Sequence, residues 1–188
     1  MKLKYILCGF VVLALLAGCA KPPLAEMESA KAAVDKAKFD KNAQLYGGNS
    51  LNRAQEALRL MQTDADSKRY DSAKTHAAEA IDAANKAIVE GKDGFERTKR
   101  EADELLARLK PEITETERNI NGARYNQLKL NFAQINRDFK DAKDIAEQAE
   151  NDKANGDFQN AVKKGRSVQS TLGSINQQIA DATPRKKS

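Results

Sequence analysis

Residues 70–110 read YDSAKTHAAEAIDAANKAIVEGKDGFERTKREADELLARLK. Apolar or small side chains recur at Tyr70, Ala73, Ala77, Ile81, Ala84, Ile88, Gly91 and Phe95, and the phase continues through Ala102, Leu105 and Leu109. Three-four spacing of this kind draws one apolar stripe along an α-helix, whereas a strand would need sustained alternation with period two. Alanine is the commonest seam residue, so partner helices can approach closely, along thin seams rather than around a thick core. The phase crosses Gly91 and Gly94 unbroken, so 91–94 reads as a soft point within one helix. A break there is the alternative, because each glycine costs about 1 kcal/mol relative to alanine. Pro111 lacks an N–H and crowds the preceding turn, so it is expected to kink or end the helix.

The pattern extends both ways. Before it, Met27, Ala30, Val34 and Ala37 line a first helix expected to run to Tyr46 and stop at Gly47 and Gly48. Asn49 or Ser50 can cap a second helix with its seam at Leu51, Ala54, Leu58, Met61 and Ala65, followed by a polar turn at 66–69. After Pro111 the pattern resumes to Ile120 and is expected to pause at Asn121 and Gly122, a favoured turn pair. Tyr125, Leu128, Phe132, Ile135, Phe139, Ala142 and Ala149 mark the next helix. Asn155, Gly156 and Asp157 form a turn and cap, and Phe158, Ala161, Val168, Leu172, Ile175 and Ile179 mark the last helix.

Composition agrees with thin seams. Of 188 residues, 31% are charged, 5% are aromatic and none is Trp, so large side chains are too few for a thick core. The net charge of +5 includes Lys2 and Lys4 at the extreme amino end. Acids and bases are interleaved elsewhere, as on a solvated helix face rather than a nucleic-acid footprint.

The amino end has the three parts of an export signal: Lys2 and Lys4, then an apolar stretch over 5–18, then small residues. The stretch is shorter than the roughly 20 residues a spanning helix needs, and Lys21, Pro22 and Pro23 close it. It ends Leu16, Ala17, Gly18, Cys19, which resembles the lipobox read by bacterial lipoprotein signal peptidase. The resemblance implies removal of 1–18 and acylation of the Cys19 thiol with diacylglycerol, then of the freed amine with a further chain such as palmitate. One acyl chain holds only reversibly, and two or three make a durable anchor. Ala20 in the second mature position implies sorting to the outer membrane. An ordinary secretory leader that happens to contain Cys19 is the alternative. The other cysteine, Cys8, lies inside the leader, so the body has no thiol for a disulfide or a metal.

The body also matches itself weakly. Ala54 falls on Ala142, Tyr70 on Phe158 and Ala73 on Ala161; with the interval shortened by two, Met27 falls on Ile113, Val34 on Ile120, Ala37 on Ala123 and Phe39 on Tyr125. Two related helical units explain this, and shared periodicity alone is the alternative. An aromatic followed three residues later by a small alanine, as at Tyr70 and Phe158, resembles the second helix of a tetratricopeptide (TPR) repeat. The Trp, Leu-Gly and closing Pro of that repeat's first helix are missing. With the leader, lipobox and proline pair, the chain resembles uncharacterised bacterial lipoproteins with a TPR-like helical domain, best over residues 1–92, and the resemblance brings no catalytic residues with it.

Chemistry-bearing patterns are sparse. His76 is the single histidine and has no cysteine in the body to join it in a zinc site. Asp64 with Asp66, and Glu115 with Glu117, stand two apart on helices and face different directions. Gly91, Lys92, Asp93 and Gly94 lack both the strand and the Gly-Lys-Ser/Thr ending of a phosphate loop, and no Gly-x-Ser-x-Gly elbow occurs.

The sequence therefore predicts an all-α chain: an elongated antiparallel helical bundle, or coiled-coil-like hairpins, joined by a long central helix after a cleaved signal peptide. The expected divisions are 1–18 signal peptide, 19–23 lipidated tether, 24–92 first unit, 93–110 continuing helix, 111–182 second unit and 183–188 basic tail. The expected function is a non-catalytic structural or interaction lipoprotein of the periplasm-facing outer membrane, with no cofactor, metal or nucleic acid. Its partner would be an envelope protein, or peptidoglycan reached by Arg185, Lys186 and Lys187. The alternatives are a TPR-like ligand- or peptide-binding accessory of a transporter and a surface-displayed adhesin.

Overall fold

The computed structural model describes residues 21–184, and every regular element among them is an α-helix. In chain order these are α1 (Leu24–Phe39), α2 (Lys41–Tyr46), α3 (Gly48–Asp66), α4 (Tyr70–Tyr125), α5 (Phe132–Ala154) and α6 (Phe158–Ala182). The described residues fall into two compact units divided between Lys92 and Asp93, a point inside the continuous α4.

In the first unit α1 contributes Val34 and Ala37 to the core, α3 contributes Leu51 and Met61, and α4 contributes a run of alanines from Ala77 to Ala87. The second unit has a core of larger side chains: Leu105, Leu106 and Leu109 from α4, Ile135 and Phe139 from α5, and Val168, Leu172 and Ile175 from α6. Residues 93–110, expected as a linking stretch, thus supply leucines to the second core. Phe95 also meets Phe158 edge-on, with ring centroids 5.3 Å apart.

The first helix stops seven residues short of its expected end. Asp40 turns extended (φ −78°, ψ 116°), and its Oδ1 accepts the Ala43 N–H at 2.8 Å, so it caps a separate α2. Glycines let α2 seat directly on α4. A Cβ on Gly91 would stand 2.5 Å from Ala43 N, and one on Gly47 would run into Ala87 O. Gly91 is therefore a point of close backbone approach inside a continuous helix, and no break occurs at 91–94.

α4 ends at neither of two expected stops. Pro111 lies inside the helix. Both it and Ala107, whose carbonyl loses its usual N–H partner, are exposed, so water can serve that carbonyl. Leu109 and Ile113 on either side pack against the second core and hold the helix in place. Asn121 and Gly122 are helical too, and the chain turns only at 126–131. There Gln127 adopts φ 54°, its N–H bonds Arg124 O, and the Leu128 N–H bonds Ala123 O, which is the Schellman way of ending a helix. The helix expected to begin near Tyr125 begins at Phe132, and Tyr125 is exposed rather than part of a seam.

The same closure ends α3 at Lys68 (φ 58°) and α5 at Gly156 (φ 79°). The interval from Lys68 to Gly156 also separates Tyr70 from Phe158, where α4 and α6 start, and Asp66 from Ala154, where α3 and α5 stop. Ala54 and Ala142, and Ala73 and Ala161, are buried at that interval. At the slightly shorter one, α1 ends at Phe39 as α4 ends at Tyr125. Periodicity spaces apolar positions but does not dictate where helices stop or how they are capped. Shared ends and caps therefore speak for two related units.

Candidate functional site

Cys19, the expected lipidation residue, the lipobox-like Leu16, Ala17 and Gly18 before it, and the basic Arg185, Lys186 and Lys187 lie outside the described residues.

His76 sits on the first turns of α4, facing the end of α3. Its Nδ1 is 3.1 Å from Glu79 Oε2 and its Nε2 is 3.5 Å from Asp64 Oδ2. Asp64 is only 7% exposed, and its Oδ1 accepts from Arg69 Nε at 2.9 Å and Nη2 at 2.5 Å. A carboxylate in the last turn of a helix faces the negative end of the helix dipole, so cations here are needed as counter-charge. The second unit solves the same problem with a lysine: Lys164 Nζ is 2.8 Å from Asp152 Oδ2. Lys164 and His76 are separated by the interval that separates Asp152 and Asp64. This recurrence marks His76 as part of a turn-closing polar cluster around Asp64.

The other candidates do not converge. Asp66 accepts from Gln62 Nε2 at 2.9 Å, away from the Asp64 cluster, and Glu115 and Glu117 are both exposed. No group of three or more His, Cys, Asp or Glu side chains is placed to hold a metal ion among the described residues. On exposed faces the charges serve local pairs. The Arg59 hydrogen bond holds the Glu56 carboxyl below its ordinary value, and the Asp144 hydrogen bond raises the Lys140 ammonium above its own.

Three surface depressions lie among the described residues. One of about 150 Å³ in the first unit is lined by Ser50, Arg53, Glu79, Asp82 and Lys86; Ser50 Oγ donates to Glu90 Oε2 at 2.6 Å. An apolar one of about 160 Å³ lies over Leu106, Leu109, Ile113 and Ala146. A wider groove of about 370 Å³ runs between α5 and α6, with Asp138, Asp141, Ser170, Thr171 and Ser174 on its walls. The first two fall below the usual few hundred Å³ of a small-molecule site, and the third is only at its lower edge.

What sequence reading missed is exposed. Phe39 and Tyr125, 78% and 87% exposed, stand at helix ends with no core to join. Their sequence signal was the matched pair itself, Phe39 falling on Tyr125 at a position where neither helix continues. No helix among the described residues is long and apolar enough to cross a membrane. Comparison with protein-family models, curated proteins and solved structures finds no match to this chain.

Proposed function

We propose that the chain is a lipoprotein of the bacterial envelope, acylated at Cys19, whose helical body works as a non-catalytic structural or interaction module on the periplasmic side of the outer membrane. The observation that carries this reading is Leu16, Ala17, Gly18 and Cys19 at the end of a leader too short to span, just ahead of Pro22 and Pro23. Two helical units, the first with an alanine seam, together with small depressions and charges engaged in turn closure and surface pairs, are consistent with a scaffold. In the finer form of the reading, the units are TPR-like antiparallel hairpins in an elongated bundle, and Arg185, Lys186 and Lys187 reach an anionic partner such as peptidoglycan. The groove between α5 and α6 favours one second reading, a peptide-binding accessory, because its hydroxyls and carboxylates could bond an extended backbone.

The test is mass spectrometry of the native protein. Fatty acid on Cys19 and loss of 1–18 are expected, and a Cys19→Ser chain should keep its leader. A native chain without fatty acid, or with its leader intact, sinks the proposal.

A further inference from the structure

Phe39 and Tyr125 are the two most exposed large apolar side chains among the described residues. They hold corresponding places in the two units: Val34 and Ala37 are buried ahead of Phe39, as Ile120 and Ala123 are ahead of Tyr125. Neither ring joins its unit's core, so the fold gains nothing from keeping an aromatic at both places.

Their flanking sequences hold more bases than acids. Lys36, Lys38 and Lys41 flank Phe39 and are all exposed. Leu45, 59% exposed, adds apolar surface on α2. That helix is tied to the end of α1 by Gln44 Nε2, which donates to Lys38 O at 2.6 Å. Of the nearby acids, Asp40 has Oδ1 committed to the Ala43 N–H, and Asp35, half-buried, stands one turn before Phe39. Around Tyr125, residues 118–131 carry Arg118, Arg124 and Lys129, with Glu117 just ahead of them; Arg124 lies over the Phe132 ring and donates to Asn136 Oδ1. An exposed ring among cations fits one environment well. A tyrosine ring settles at headgroup depth, where its apolar body and polar hydroxyl are both accommodated, a phenylalanine ring enters the headgroup/acyl boundary, and the cations meet anionic headgroups.

We infer that Phe39 with Leu45, and Tyr125 in its own unit, are interfacial contacts through which the helical units touch an anionic lipid bilayer. The inference deepens the proposed function and rests on it for the presence of a bilayer beside the chain. The acyl group would hold the chain at the membrane, and these corners would decide which parts of the body lie against it.

The chain has no Trp, so a single substitution supplies a clean reporter. Full-length chains carrying Phe39→Trp, Tyr125→Trp or, as control, Val89→Trp at another exposed site are mixed with vesicles of brominated phosphatidylcholine, with or without phosphatidylglycerol. Bromine quenches a tryptophan that enters the bilayer. Quenching is expected at 39 and 125 in anionic vesicles only, with the Val89→Trp emission unmoved. Replacing Lys36, Lys38 and Lys41 by Glu should abolish it at 39, since each basic residue in contact is worth roughly five-fold in partition. Quenching of Val89→Trp as strong as at 39 and 125, or none at 39 and 125, overturns the inference. So does binding of these corners to isolated sacculi without quenching in vesicles. Fatty acid on Cys19 is measured on the same preparations. An acylated chain without quenching sinks the contact alone, and an unacylated chain with quenching sinks the anchor alone.

Discussion

Asp64 Oδ2 lies 3.5 Å from His76 Nε2, across the turn that joins α3 to α4. In the second unit Asp152 and Lys164 make the corresponding pair at 2.8 Å. The chain thus places a carboxylate in the last turn of two helices, where the helix dipole disfavours it, and both times brings a basic side chain from the next helix to meet it.

The two pairs differ in reserve. Asp64 also accepts hydrogen bonds from Arg69, whereas Asp152 Oδ2 is shut off from solvent and accepts no hydrogen bond, with the Lys164 ammonium at 2.8 Å as its counter-charge. Lys164→Met should therefore destabilise the second unit by about 1–3 kcal/mol, the cost of leaving a shielded carboxylate oxygen without that charge. His76→Gln should cost clearly less, and urea denaturation of the two variants compares them. Equal losses would refute the difference in reserve.

Glycines divide by what surrounds them. Gly91→Ala would drive a Cβ into the backbone of α2, and overpacking of this kind costs about 1–3 kcal/mol. Gly122→Ala, also within α4, meets nothing within 4 Å and should stabilise by about 0.5–1 kcal/mol. Thermal unfolding followed by circular dichroism should move in opposite directions for the two.

Pro111 lies mid-helix on an exposed face. Pro111→Ala restores an N–H to bond the Ala107 carbonyl and should stabilise by up to about 3 kcal/mol. A melting temperature that stays level or falls would mean that the proline is needed for the course of α4.

Asn176 bridges two residues of α4: its Nδ2 donates to Thr116 Oγ1 at 2.8 Å, and its Oδ1 accepts from Asn119 Nδ2 at 3.0 Å. Thr116 is fully buried. Thr116→Val removes the acceptor and should cost about 1–3 kcal/mol, while combining it with Asn176→Leu should recover part of the loss. A double-mutant cycle reads the coupling directly.

Glu56 gives a pH prediction with a definite sign. Its carboxyl is lowered by the Arg59 hydrogen bond, so the pair favours the folded chain above the ordinary carboxylate pKa and stops doing so as pH falls through the lowered value. Both groups are fully exposed, so solvent screens the effect. Arg59→Ala should leave stability near pH 7 almost unchanged and slightly flatten its acid limb, measured as urea midpoint against pH.

Much of this architecture is legible in residue order alone, because helical class follows from local periodicity. The seam from Tyr70 to Leu109 needs no partner to be recognised, and neither do the cap at Asp157 and the turn at Gly156. The matched positions of the two halves were also readable, since Ala54 with Ala142 and Tyr70 with Phe158 stand in the primary structure. Local rules misled where tertiary contacts outweigh them. Pro111 and Asn121-Gly122 are stop signals by propensity, yet packing of Leu109, Ile113 and Ile120 in the second core carries α4 past both.

Residue order by itself determined that this protein is helical and that its apolar side chains recur at three-four spacing, and it holds the apolar stretch that ends in Cys19. Only the tertiary structure decided that α1 stops at Asp40, that Gly91 is a contact point, that His76 answers to Asp64, and that Phe39 and Tyr125 are left uncovered. The reason is range. Propensity and periodicity act within a few residues, whereas close approach, counter-charge and exposure depend on which distant side chains the fold brings alongside.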